Sequence, residues 1–76
     1  MANSFYHNLG VNIKHRRKEL GLTQQELADK LGISLNFMGK IEVAFSKPSL
    51  DTLINISECL ETTVSELCNF NNNNAL

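Results

Sequence analysis

Leu22-Thr23-Gln24-Gln25-Glu26-Leu27-Ala28-Asp29-Lys30-Leu31-Gly32-Ile33-Ser34-Leu35-Asn36-Phe37-Met38-Gly39-Lys40-Ile41-Glu42 carries two helix starts in quick succession. At the first, Thr23 is a good N-cap, and Glu26 stands three residues on, where its carboxylate can reach back to the Thr23 N–H. Leu22 before the cap and Leu27 after it can close as a hydrophobic staple. Gly32 follows Leu31, where a helix that ends on a left-handed residue favours glycine. At the second start Ser34 is the cap, and Ile33 can staple onto Met38. Only Gly32 and Ile33 separate the two helices, so the chain turns sharply between them. Two short helices joined in this way make a helix-turn-helix unit.

Outward from that unit the reading is all-α. Phe5, Leu9, Ile13, Arg17 and Leu20 recur at helical spacing and predict a first helix over Phe5–Leu20, after a loose start at Met1–Ser4. Gly21 is its expected left-handed terminator. The second helix is expected over Thr23–Leu31, with Leu27, Ala28 and Leu31 buried. The third is expected over Ser34–Val43, with Met38 and Ile41 buried and Leu35, Asn36, Gly39 and Lys40 outward. Pro48 and Ser49 announce a fourth helix, whose core stripe reads as Leu50, Leu53, Ile54, Ser57 and Leu60. Ile56 and Cys59 form a second apolar flank, more than one buried face needs. Thr63 caps a short fifth helix, with Glu66 completing a second capping box. Residues 1–70 read as one domain and 71–76 as a polar, disordered tail.

At 76 residues and 42% hydrophobic content the chain can bury a real but thin core. There is no apolar run long enough to span a membrane and no signal-peptide pattern. The two cysteines, Cys59 and Cys68, stand nine positions apart with no metal-site spacing. They read as small hydrophobes in a reducing cytoplasm. No nucleophile with a placed base, no metal cluster and no phosphate loop is present, so an enzyme, a cofactor and a metal site are all unexpected. The formal net charge is −1, but seven cations and four anions precede Pro48, a net +3, and four anions follow it. One basic and one acidic part suit a polyanionic partner.

Thr23-Gln24, Leu27-Ala28, Leu31-Gly32, Ile33-Ser34, Ile41-Glu42 and Pro48-Ser49-Leu50 stand at ungapped spacing over roughly Leu9–Leu67. In this ordered set the chain resembles the Cro/CI-type helix-turn-helix family of phage and bacterial regulators, the lambda-repressor-like DNA-binding domains. The resemblance implies a compact five-helix fold with its helix-turn-helix at helices 2 and 3. It implies double-stranded DNA as partner, with Leu35, Asn36, Gly39 and Lys40 on the base-reading surface. Asn36 suits adenine N6 and N7, Lys40 suits guanine O6 and N7, and Leu35 suits a thymine methyl. Gly39 reads nothing and costs about 1 kcal/mol in a helix, so close approach of the helix backbone to DNA is one reason to keep it.

Gln24, by the same resemblance, clamps the DNA backbone, with Gln25, Arg16, Phe37, Ser46 and Lys47 as further phosphate candidates. An Arg17–Glu42 ion pair is implied, tying the first helix to the end of the third. A two-fold homodimer through the C-terminal surface is implied as well, with Ile56, Cys59, Val64, Leu67 and Phe70 as candidates. At Val43-Ala44-Phe45 the chain departs from the family pattern. Ala44 replaces the expected glycine, and Val43 and Phe45 stand where polar or basic residues are usual. The expected function is a sequence-specific transcriptional regulator on a pseudo-palindromic operator, acting by occupancy. The alternative is a protein-interaction module that keeps the fold and binds DNA weakly.

Overall fold

The computed structural model describes residues 2–70, with side chains from residue 4 onward. It contains five helices: α1 (Ala2–Glu19), α2 (Gln24–Leu31), α3 (Leu35–Glu42), α4 (Leu50–Cys59) and α5 (Val64–Leu67). The fold is all-α, with no strand among the described residues. The tail expected over residues 71–76 lies outside them, as does Met1.

Four helix ends are built alike. At each, one left-handed residue follows the helix and two N–H groups fold back onto the last carbonyls. Gly21 (φ 73°) donates to Lys18, and Leu22 donates to Arg17. Gly32 (φ 71°) donates to Asp29, and Ile33 to Ala28. Ala44 (φ 65°) and Phe45 do the same to Ile41 and Lys40, and Glu61 (φ 56°) and Thr62 to Glu58 and Ser57. The motif satisfies carbonyls that the helix itself leaves open. Glycine takes the left-handed conformation without strain, whereas Ala44 and Glu61 each carry a Cβ penalty of about 1–2 kcal/mol.

The starts are as specific as the ends. Thr23 Oγ1 accepts the Glu26 N–H at 3.0 Å, and Glu26 Oε1 accepts the Thr23 N–H at 2.8 Å. Ser34, Ser49 and Thr63 cap α3, α4 and α5 through their hydroxyl oxygens. Short helices such as these need such caps, because their propensity alone does not hold them.

The core runs from Leu9 and Ile13 through Leu27, Ala28, Met38 and Ile41 to Leu53, Ile56, Leu60 and Leu67. α1 packs on α3 and α5, while α2 packs on α3 and α4. Two expectations change here. α1 begins at Ala2 and not at Phe5. The Phe5 ring, one turn in, meets the Phe70 ring edge-on at 5.3 Å. On α4 the buried stripe is Leu53, Ile56, Ser57 and Leu60, whereas Leu50 and Ile54 are exposed. Ser57 can sit inside because its hydroxyl donates to the Ile54 carbonyl at 2.7 Å. Among the described residues no helix is long and apolar enough to cross a membrane.

Candidate nucleic-acid interface

The two capped starts and the Gly32 turn set the first turn of α2 beside the outer face of α3. A groove on that surface is lined by Gln24 from α2, by Leu35, Asn36, Gly39 and Lys40 from α3, and by Val43 and Phe45 just beyond it. Leu35 and Asn36 are exposed, and Gly39 and Lys40 half-buried. The four residues assigned to base reading thus share one surface. Gln24 joins them there.

Beneath this surface Glu42 organises a polar network. Arg17 Nε and Nη2 donate to its two carboxylate oxygens at 2.7 and 3.1 Å, and Arg17 Nη1 donates to the Leu22 carbonyl at 2.7 Å. Gln24 Nε2 donates to Glu42 Oε1 at 2.9 Å. Both charged groups are buried and both are satisfied. One ion pair therefore ties α1 to the end of α3, and the Gln24 bond ties the start of α2 to the same carboxylate. With one amide N–H spent on Glu42, Gln24 keeps its second, and the backbone amides that open α2 lie ahead of the first intrahelical bond. A helix N-terminus so placed suits an anion.

The remaining phosphate candidates fare differently. Arg16 is turned away, and its assignment is corrected. Its Nε donates to the Leu60 carbonyl at 2.9 Å, its Nη2 to the Glu61 carbonyl at 3.2 Å, and its Nη1 meets Glu19 at 3.3 Å. The guanidinium thus closes the end of α4, where open carbonyls attract cations. Phe37 is half-buried against the core and its N–H is taken by Ser34, so it too drops from the set. Gln25 is exposed and donates to Asp29 at 2.9 Å. Ser46 is half-buried behind α3, its N–H on the Lys40 carbonyl. Lys47 is exposed, with its ammonium 5.3 Å from the centre of the Tyr6 ring.

Of the dimer candidates, Ile56 and Leu67 are 0% and 3% exposed, so they fill this chain's own core and cannot form a contact surface. Cys59, Val64 and Phe70 are half-buried at its edge. Burial pushes the Cys68 thiol above its ordinary pKa, which suits a packing role better than a reactive one. The surplus apolar side of α4 is Leu50 and Ile54, on the flank opposite Cys59.

One basic side chain outside the candidate set adjoins the interface. Lys14 lines a second groove with His7, Val11, Gln24, Glu42 and Val43. The signal was its phase. His7, Val11, Lys14 and Lys18 recur at i, i+4, i+7 and i+11, on the side of α1 next to Arg17, which faces α3.

A family model of the helix-turn-helix class, HTH_3, matches residues 13–67, most of the chain and all of the site just described. This chain belongs to the Cro/CI-type helix-turn-helix family. The transcriptional repressor RstR of cryptic phage CTXphi in Vibrio cholerae is 36% identical over 56 residues, covering 74% of this chain and 50% of RstR. The helix-turn-helix regulator YqaE of Bacillus subtilis is 43% identical over 56 residues, 74% of this chain and 48% of YqaE. This member of the family thus spans about half the length of such relatives. The crystal structure of SinR, the master regulator for biofilm formation, in complex with DNA superposes with a TM-score of 0.75 at 34% identity, covering 80% of this chain and 98% of that one. The restriction-modification controller C.AhdI of Aeromonas hydrophila shares the fold at a TM-score of 0.78 and 24% identity, over 82% of this chain and 94% of its own.

Proposed function

We propose that this helix-turn-helix chain is a sequence-specific, double-stranded-DNA-binding transcriptional regulator of repressor type, which lays α3 in the major groove. The observation that carries the reading is the shared surface of Leu35, Asn36, Gly39 and Lys40 beside the N-terminus of α2. Side chains that can read base edges stand there next to amides that can hold a phosphate. The likeness to SinR in its DNA complex, and to a phage repressor, supports the same reading. Asn36 and Lys40 read bases; Gln24, Lys47 and Lys14 hold the backbone. The chain works in the cytoplasm as a homodimer on a pseudo-palindromic operator, with two α3 helices about 34 Å apart. Cys59, Val64 and Phe70, at the edge of the core, contribute to the two-fold contact.

A second reading has one observation in its favour. Val43 and Phe45 are 69% and 77% exposed, which an interaction module would use to hold a protein. Selection from a random duplex library separates the two. A two-fold symmetric motif whose binding weakens steeply with salt supports the regulator. A folded protein that enriches no motif abandons it for the module.

A further inference from the structure

Phe45 stands where the chain departs from the family pattern, and its side chain is exposed while its backbone is pinned. Left-handed Ala44 turns the chain back at the end of α3, and the Phe45 N–H donates to the Lys40 carbonyl at 2.8 Å. A cap of this kind sets the side chain that follows the left-handed residue against the residue whose carbonyl it takes. Here those two are a phenylalanine and a lysine. The Lys40 ammonium lies 5.5 Å from the centre of the Phe45 ring, close enough to be drawn to its face. Both side chains line the same groove as Gln24, Leu35, Asn36 and Gly39, so the contact lies on the surface assigned to base reading.

We propose that Phe45 is a positioning residue for base readout: its ring holds the Lys40 ammonium in the groove, so that Lys40 meets a base edge already oriented. The proposal rests on the DNA-binding reading above and deepens it. A lysine that is free to turn gives up rotamer freedom when it binds, and the ring removes part of that cost beforehand. An ammonium has three N–H donors, so a ring on one side leaves donors for guanine O6 and N7. The exposed ring thus has its partner within the chain. The backbone hydrogen bond of the cap fixes where the ring stands, and the ring fixes where the cation stands.

The experiment takes the best duplex from the random-library selection and locates the base pair whose preference Lys40→Ala relaxes. Anisotropy titrations on that duplex, and on one changed at that pair, then compare the unaltered protein with Phe45→Leu and Phe45→Tyr. Phe45→Leu keeps an apolar side chain and loses the ring face. It is expected to lower discrimination at that base pair about 2- to 5-fold, the equivalent of one exposed cation–π contact. Phe45→Tyr, which keeps a ring, is expected to retain the discrimination. In the Lys40→Ala background Phe45→Leu is expected to change nothing further, because the two residues act as a unit. A loss that persists in that background overturns the proposal, since the ring then touches DNA by itself. Full discrimination in Phe45→Leu overturns it too, as does a Lys40→Ala protein that weakens on all sequences alike. In each of these cases the regulator stands. A folded protein that binds no duplex overturns the DNA-binding reading as well.

Discussion

Arg17 and Glu42 meet through two parallel hydrogen bonds, 2.7 and 3.1 Å long, in the buried seam between α1 and α3. The same carboxylate accepts from Gln24 at 2.9 Å, so one side chain at the end of α3 gathers all three helices that shape the interface. Truncating one member of a buried pair leaves the other charged and unpaired, at a cost of about 3–5 kcal/mol. Glu42→Ala is therefore expected to lose that much in urea unfolding. Glu58→Ala, which removes an exposed carboxylate, is expected to change stability by no more than about 0.5 kcal/mol. Equal losses in the two variants would sink the structural role given to the pair.

Gly10 makes the same seam possible. A Cβ at this position would lie 2.4 Å from the Glu42 carbonyl oxygen and 2.8 Å from that of Ile41, both of them backbone atoms that cannot step aside. Alanine is the better helix former by about 1 kcal/mol. Even so, Gly10→Ala is expected to destabilise by about 1–3 kcal/mol, because α1 must lift off α3. A thermal melt reads this as a fall of about 4–8 °C per kcal/mol. A rise in melting temperature would mean that α1 does not approach α3 this closely.

Ala44 and Glu61 hold left-handed backbone at the ends of α3 and α4. Relieving a Cβ in that region outweighs the added freedom that glycine gives the unfolded chain. Ala44→Gly and Glu61→Gly are each expected to raise stability by about 1 kcal/mol. The control is Ala28→Gly, an alanine buried inside α2, which is expected to lower it. Loss of stability in Ala44→Gly would show that the helix continues through residue 44.

These residues mark where the sequence is legible and where it is not. The caps at Thr23 and Ser34 and the turns at Gly21 and Gly32 depend on local chemistry, and their spacing along the chain announces them. The left-handed end at Glu61 has no such marker, because glutamate is a poor choice for it and only the packing of α4 against its neighbours sets it there. The face of α4 is legible only in part for a related reason. Leu53, Ser57 and Leu60 are buried as their spacing suggests, but Leu50 and Ile54 on one flank and Ile56 on the other are equally apolar, and only the packing of the neighbouring helices buries Ile56 and leaves Leu50 and Ile54 exposed. Arg16 shows the same limit at the site. In a run of five basic or near-basic residues, charge says nothing about which one is consumed by carbonyls at the end of α4.

Asn36 is exposed on α3, and its side chain supports nothing in the fold. Asn36→Ala is expected to leave the melting temperature within about 4 °C, because such surface changes alter stability by no more than about 0.5 kcal/mol. Its effect belongs to the bound state. An asparagine that bonds adenine N6 and N7 discriminates by about 1–3 kcal/mol. The variant is therefore expected to bind the selected duplex about 5- to 150-fold more weakly, with a relaxed preference at one base pair of each half-site. Lys47→Ala offers the contrast. A lost phosphate contact weakens all sequences alike and lowers the salt slope by about one. Anisotropy titrations at several salt concentrations, on the selected duplex and on one changed at that base pair, measure both quantities. If Asn36→Ala behaves as Lys47→Ala does, Asn36 holds the backbone, and the reading of bases falls to Lys40 and Leu35.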